Sequence, residues 1–319
     1  MIQNRLIIKA LCIIMAIPCH LRAQSDTTSS PMVSTTIGVP YCKVQTPGQK
    51  DSLRLCFDFY VAKDTVTPPR PLVITLFGGG FVLGTRGHED MLKWCDCLAK
   101  EGFAVASIDY RVMPARKFSS KNLIRTGYLA AQDVSTAVRY FKANSDRYSI
   151  DTSRIFLLGQ SAGAVAIIHA LYMDENQRPS ETFIEPILPP LHSNMPVNAK
   201  PLDFSVAGAI LLWGSIFEPQ MIDEDENTPV CMIHGTRDKI LPVTEGHAFS
   251  MPHLPYVYGS QSIANRMQTL GFHSYELHLF DRKPHAFYFK YFYMYHLKNQ
   301  EFDSCFQLAL DFLRSHGCQ

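Results

Sequence analysis

Gly159-Gln160-Ser161-Ala162-Gly163 lies between the apolar run Ile155-Phe156-Leu157-Leu158 and an Ala-rich stretch with helical character over 162–171. A strand that becomes a helix within five residues crowds its own backbone, so the corner needs small neighbours. Here two glycines supply the room. Such a corner leaves the serine hydroxyl exposed at the carboxyl edge of a sheet, beside the positive end of the following helix. The fold must therefore contain at least one buried strand that runs directly into a helix.

Other segments repeat that grammar. Residues 53–62 alternate loosely as a strand does, and Pro68-Pro69-Arg70-Pro71 makes a turn, because proline cannot donate to a ladder. Leu72–Phe77, Phe103–Ile108, Arg154–Leu158, Val206–Trp213, Val230–His234 and Tyr275–Phe280 are short apolar runs suited to strands buried on both faces. Helices are predicted over 88–101, 126–144 and 162–171, with a closing helix over 299–315. This alternation predicts an α/β fold with a mainly parallel central sheet covered by helices on both faces. Residues 174–205 are polar, Pro-rich and longer than an ordinary connection, and read as an insertion. With no internal repeat, one domain over 41–319 follows a Ser/Thr-rich linker at 25–40.

The first residues have the parts of a secretory signal peptide: Arg5, a short apolar core over 6–17, Pro18, and small residues near Ala23. The core is shorter than the ~20 residues a membrane span requires, so export is expected, with no stable membrane insertion. Pro18 before Cys19 argues against lipid attachment there. Cleavage after Gln24 would leave 295 residues and seven cysteines (42, 56, 95, 97, 231, 305 and 318), an odd number, so at least one thiol stays free or pairs between chains. Thirty Lys+Arg against 29 Asp+Glu give no field that would draw the chain to nucleic acid, and a small or neutral partner is expected. No zinc-type spacing is present, and neither metal nor cofactor is expected.

A serine hydroxyl is a weak nucleophile and needs a base. Of twelve histidines, His285 is singled out by its place in Lys283-Pro284-His285-Ala286-Phe287, just after a strand and before the closing helical region. The base in turn needs a carboxylate to fix its tautomer. Asp238 qualifies, in the loop His234-Gly235-Thr236-Arg237-Asp238 that follows Val230–Ile233. Asp223, Glu224, Asp225 and Glu226 form a polar run before that strand and read as solvated, and His234 reads as structural. Acyl transfer through a serine also builds an oxyanion, for which rigid backbone N–H groups are suited. Gly79 and Gly80, from Phe77-Gly78-Gly79-Gly80-Phe81, and Ala162 are assigned to that hole. The glycine loop lacks the patterns of a phosphate cradle. Phe81, Gln160, Trp213 and Phe217 are expected to contact the substrate, while the aromatic cluster over 287–295 reads mainly as core. Arg111 is expected to pair with Asp133 rather than act in a site.

Taken together, PLVITLFGGGFVLG at 71–84, GFAVASIDYRVMP at 102–114, RIFLLGQSAG at 154–163, HGTRD at 234–238 and KPHAF at 283–287 resemble the esterase/lipase branch of the α/β-hydrolase superfamily. They are most similar to carboxylesterases and acetyl- or feruloyl-ester hydrolases of the hormone-sensitive-lipase-like type, over about residues 50–315. The order Ser161, Asp238, His285 is that superfamily's order. Two departures stand out. The histidine that usually precedes the three glycines is Phe77, and the elbow ends Gly163-Ala164 rather than in a double glycine. The resemblance implies hydrolysis of carboxylic esters, small or aryl, with acetyl or feruloyl groups on polysaccharide as one option. Alternatives are a prolyl-oligopeptidase-type peptidase, for which the chain before residue 50 is too short to supply the usual extra domain, and an inactive hydrolase fold used for binding, which would be expected to lack a triad member.

Overall fold

The computed structural model describes residues 31–45, 51–63, 69–191, 193, 204–291, 294–297 and 299–317. The expected signal peptide, Cys318 and most of 192–203 lie outside these residues. The strands are β1 (Val33–Gln45), β2 (Ser52–Ala62), β3 (Arg70–Leu76), β4 (Ala104–Ile108), β5 (Ile150–Gln160), β6 (Gly208–Leu212), β7 (Ser215–Ile216), β8 (Val230–Gly235), β9 (Glu245–His247), β10 (Tyr256–Gly259), β11 (Tyr275–Phe280), β12 (Phe289–Tyr291) and β13 (Met294–Leu297). The helices are α1 (Glu89–Lys100), α2 (Ser120–Ala143), α3 (Ser145–Tyr148), α4 (Ala162–Tyr172), α5 (Ser260–Thr269) and α6 (Asn299–Gly317).

Eight strands form the central sheet in the order β1-β2-β4-β3-β5-β6-β8-β11. β1, β2 and β4 pair antiparallel, and the pairs from β4 through β3, β5, β6 and β8 to β11 are parallel. Leu72, Val73 and Ile74 are consecutive in β3 and all wholly buried. Successive side chains point to opposite faces, so both faces of the sheet are covered there. α1 and α6 pack through Trp94 against Phe302 and Phe306, and α2 packs against α4. Among the described residues no helix is long and apolar enough to cross a membrane.

Three expectations about organisation need correction. The stretch read as a linker at 25–40 is strand from Val33 onward, paired with β2. Its Ser/Thr content looked like linker composition, but Val33, Thr35, Thr36 and Ile37 are β-branched and fit a pleated edge. The compact unit consequently begins near Pro31 rather than at residue 41. The second helix starts at Ser120, six residues before the expected 126, because the Ser119 hydroxyl caps it by accepting the Asn122 N–H at 3.3 Å. α5 and the small sheet β7-β10-β9, between β6 and β11, were not anticipated.

The described part of the 174–205 insertion is tied to one face of α2. Arg125 donates to the carbonyls of Glu181, Ile184 and Pro186. Tyr128 and Gln132, one and two turns further on, donate to Pro189, and Gln132 also to Pro190.

Candidate functional site

Ser161 stands between β5 and α4 at φ 52°, ψ −119°, a conformation L residues rarely adopt. Close packing of strand on helix enforces the corner: a Cβ on Gly159 would lie 2.6 Å from the Gly163 carbonyl carbon. The Ser161 N–H is fixed to the Leu212 carbonyl at 2.9 Å, so β6 anchors the turn.

β5, β8 and β11 run parallel, so their carboxyl ends lie on one edge. That edge brings together the three residues singled out in the sequence. His285 Nε2 is 2.9 Å from Ser161 Oγ, and His285 Nδ1 is 2.6 Å from Asp238 Oδ2. All three are buried, Ser161 being 9% exposed. The Ile240 and Leu241 N–H groups donate to Asp238 Oδ1 at 2.8 and 2.9 Å. Burial alone would push the Asp238 carboxyl up, but the His285 charge and hydrogen bonds from His234 and His285 outweigh it, leaving Asp238 well below the usual carboxylate range. An ionised Asp238 accepts a hydrogen bond from the His285 Nδ1–H. Nε2 is then left to accept from the Ser161 hydroxyl.

Two chambers meet at Ser161. One is lined by Gly79, Gly80, Gln160, Trp213 and His285, with His88, Asp90 and Phe289. The other is almost wholly apolar and is lined by Phe81, Leu123, Val165, Phe217, Phe249 and Val257. All four residues expected at the substrate therefore border this space. Gln160 is already engaged, however, donating to Asp90 and accepting from the Tyr288 hydroxyl. Phe217 is held by His169, whose ring lies tilted against the Phe217 ring at 4.1 Å and accepts the Phe217 backbone N–H at 3.1 Å.

Gly79 sits at φ 128°, where a Cβ would lie 2.1 Å from the Leu83 carbonyl oxygen, so the loop admits only glycine there. A Cβ on Gly78 would come 3.2 Å from Ser161 Cβ, which places this loop against the serine. Ala162 opens α4, where the first-turn N–H groups have no helical acceptor.

The BD-FAE family model matches residues 57–207, from β2 to just before β6. "Esterase LipC" of Mycobacterium tuberculosis is 27% identical over 214 residues, 60% of this chain and 50% of that protein. A probable isoprenylcysteine alpha-carbonyl methylesterase of Arabidopsis thaliana is 31% identical over 114 residues, 36% of this chain and 21% of that protein. Among solved structures, esterase 2 of Thermogutta terrifontis phosphorylated by paraoxon superposes with a TM-score of 0.59 at 19% identity, covering 90% of this chain and 95% of that one. The chain has the α/β-hydrolase fold of these esterases, and over residues 57–207 it is similar to the BD-FAE family. It spans about half the length of LipC and a smaller share of the plant methylesterase.

The candidate site is wider than its sequence motifs. His234, read as structural, touches Asp238: its Nε2 lies 3.1 Å from Asp238 Oδ2 and 2.9 Å from the Leu241 carbonyl, and its Nδ1 lies 2.8 Å from Ser260 Oγ. Two acceptors at Nε2 place the proton there, so the Ser260 hydroxyl donates to Nδ1. His234 was visible within HGTRD, but nothing in the sequence joined Ser260 to it. The glycine loop is braced at Phe77, the position where the resemblance led one to expect histidine. Phe77 stacks on Tyr110 at 4.3 Å, and the Tyr110 hydroxyl donates to the Phe77 carbonyl at 2.7 Å.

The expected Arg111–Asp133 pair is present at 2.7 Å. Of the acidic run, Glu224 and Asp225 are exposed, whereas Asp223 and Glu226 are half-buried. The six described cysteines are free thiols. Cys231, Glu276 and His278 bring metal-type donor atoms within 4.8 Å of one another on β8 and β11, but none of them lines either chamber.

Proposed function

We propose that the protein hydrolyses carboxylic esters through an acyl-enzyme on Ser161. The observation that carries the reading is the unbroken chain from Ser161 Oγ through His285 to Asp238, at 2.9 and 2.6 Å, beside the glycine loop. His285 Nε2 takes the hydroxyl proton as Ser161 Oγ bonds to the ester carbonyl carbon. Negative charge gathers on the former carbonyl oxygen, where the N–H groups of Gly79, Gly80 and Ala162 are suited to receive it. The carbon–oxygen bond to the alcohol then breaks, and the alcohol leaves with the proton from His285. Water repeats the sequence on the acyl-enzyme, releasing the acid and restoring Ser161.

The narrow apolar chamber lined by Phe81, Leu123, Val165 and Phe217 suits a short acyl group. Small acyl or aryl esters, including those carried on polysaccharide outside the cell, follow from that chamber, the near-neutral charge and the export expected from the first 24 residues. Turnover of 4-nitrophenyl esters from acetate to decanoate, by wild type and Ser161→Ala, tests the reading. Wild type is expected to prefer the short chains and Ser161→Ala to lose about 10⁶ in kcat. Undiminished turnover by Ser161→Ala would overturn it. Export is tested by the N-terminal sequence of the protein recovered from cells making the full chain, and a retained Met1 counts against it.

A further inference from the structure

The chamber that Ser161 shares with His285 has a second imidazole in its wall. His88 immediately precedes α1, and its Nδ1 lies 2.5 Å from Asp90 Oδ1. Asp90 is wholly buried, and its other oxygen accepts the Gln160 amide N–H. The Gln160 amide oxygen accepts from the Tyr288 hydroxyl at 2.8 Å, and that hydroxyl accepts the Trp94 indole N–H at 3.1 Å. Asp90 is thus an acceptor towards both partners, which fixes a proton on His88 Nδ1. The bond to Asp90, helped by the Asp90 and Glu89 charges, outweighs burial and raises the His88 pKa above its ordinary value.

This leaves Nε2, which has no hydrogen-bond partner among the described residues, on a ring that lines the chamber and is 35% exposed. The arrangement repeats that of His285 on Asp238, except that no serine occupies its Nε2. We propose that His88, held by Asp90, is a binding point for a hydroxyl group of the ester substrate, remote from the scissile carbonyl. A hydroxyl suits it because Nε2 accepts when the ring is neutral and donates when it is charged, and a hydroxyl answers both. The Asp90 and Glu89 charges disfavour a carboxylate there, while Leu83, Trp213 and Phe289 offer apolar contact to the rest of the group.

The proposal rests on Ser161 being the esterase nucleophile, and the test separates the two. Two matched pairs of esters probe the acyl and alcohol sides: 4-nitrophenyl 6-hydroxyhexanoate against the hexanoate, and 4-hydroxyphenethyl acetate against phenethyl acetate. The readout is the ratio of kcat/KM within each pair, which does not depend on how much of a variant is folded. Wild type is expected to favour the hydroxylated member of at least one pair by roughly five- to tenfold, mainly through KM, as one hydrogen bond allows. His88→Asn keeps an amide N–H for Asp90 but has nothing at the Nε2 position, and is expected to bring that ratio to about one. His88→Gln restores a polar nitrogen near that position and is expected to recover part of it. Ratios of one in wild type for both pairs, or a ratio that survives in His88→Asn, overturn the proposal. Failure of wild type to hydrolyse any of the four esters instead removes the esterase reading itself.

Discussion

Asp238 and Asp133 have equally buried side chains, yet they are held by different partners. Asp133 takes the Arg111 backbone N–H at 2.8 Å and the guanidinium at 2.7 to 3.0 Å, fastening the chain after β4 to α2. Burial pushes the Asp133 carboxyl up, and Arg111 pulls against that shift. Asp238 faces two imidazoles and two backbone N–H groups, and its carboxyl is held down. A guanidinium keeps its proton throughout the working range, so Asp133 forms a permanent pair. An imidazole gains and loses one, so Asp238 can favour a charge that exists only during turnover. The lesson is that a buried carboxylate gains a chemical use from a partner that titrates.

The sharpest way to separate the two is Asp238→Asn. It is expected to lower kcat for a 4-nitrophenyl ester by about 10⁴, since an amide can stabilise the wrong His285 tautomer, while circular dichroism shows the fold intact. Arg111→Met should do the reverse. It strands a buried carboxylate, costing about 3–5 kcal/mol in urea denaturation, with kcat per folded molecule within about twofold of wild type. A large rate loss in that variant would erase the distinction.

His169 supplies a third case, burial without a charged partner. Desolvation pushes its pKa down to about 4 despite the bond to the Val165 carbonyl. The unfolded chain therefore binds this proton first, near pH 6.5, and the folded chain only near pH 4. Its contribution is full above pH 6.5 and is lost as pH falls towards 4. Between pH 7 and 4, wild type should lose about 3 kcal/mol more stability than His169→Gln, from urea titrations at each pH. Parallel curves for the two proteins would show that burial does not govern this group. The smallest effect is expected for Tyr110→Phe, which keeps the stack on Phe77 and loses one hydrogen bond, about 1 kcal/mol of stability, with at most a tenfold change in kcat.

Ser161, Asp238 and His285 were readable because each sits in a short segment whose neighbours announce a strand ending. Parallel strands then bring those ends to one edge without further information. Ser260 and the His88–Asp90–Gln160 chain were not readable, since they join segments through side chains that carry no local pattern. The mainly parallel sheet followed from continuous apolar runs such as Leu72–Phe77. β1 did not, because an edge strand with one solvent-facing side needs no such run, and Ser-Thr-Thr resembles a linker.

The stack of Phe77 on Tyr110 has one more consequence. Burial moves the tyrosine hydroxyl further from ionisation, so neither ring of that brace changes charge as the surroundings acidify. A loop steadied by histidine would be retuned by each such change. Here the loop proposed to receive the developing anion is steadied by hydrocarbon and one neutral hydroxyl, and acid sensitivity of turnover is expected to originate elsewhere, in the imidazoles.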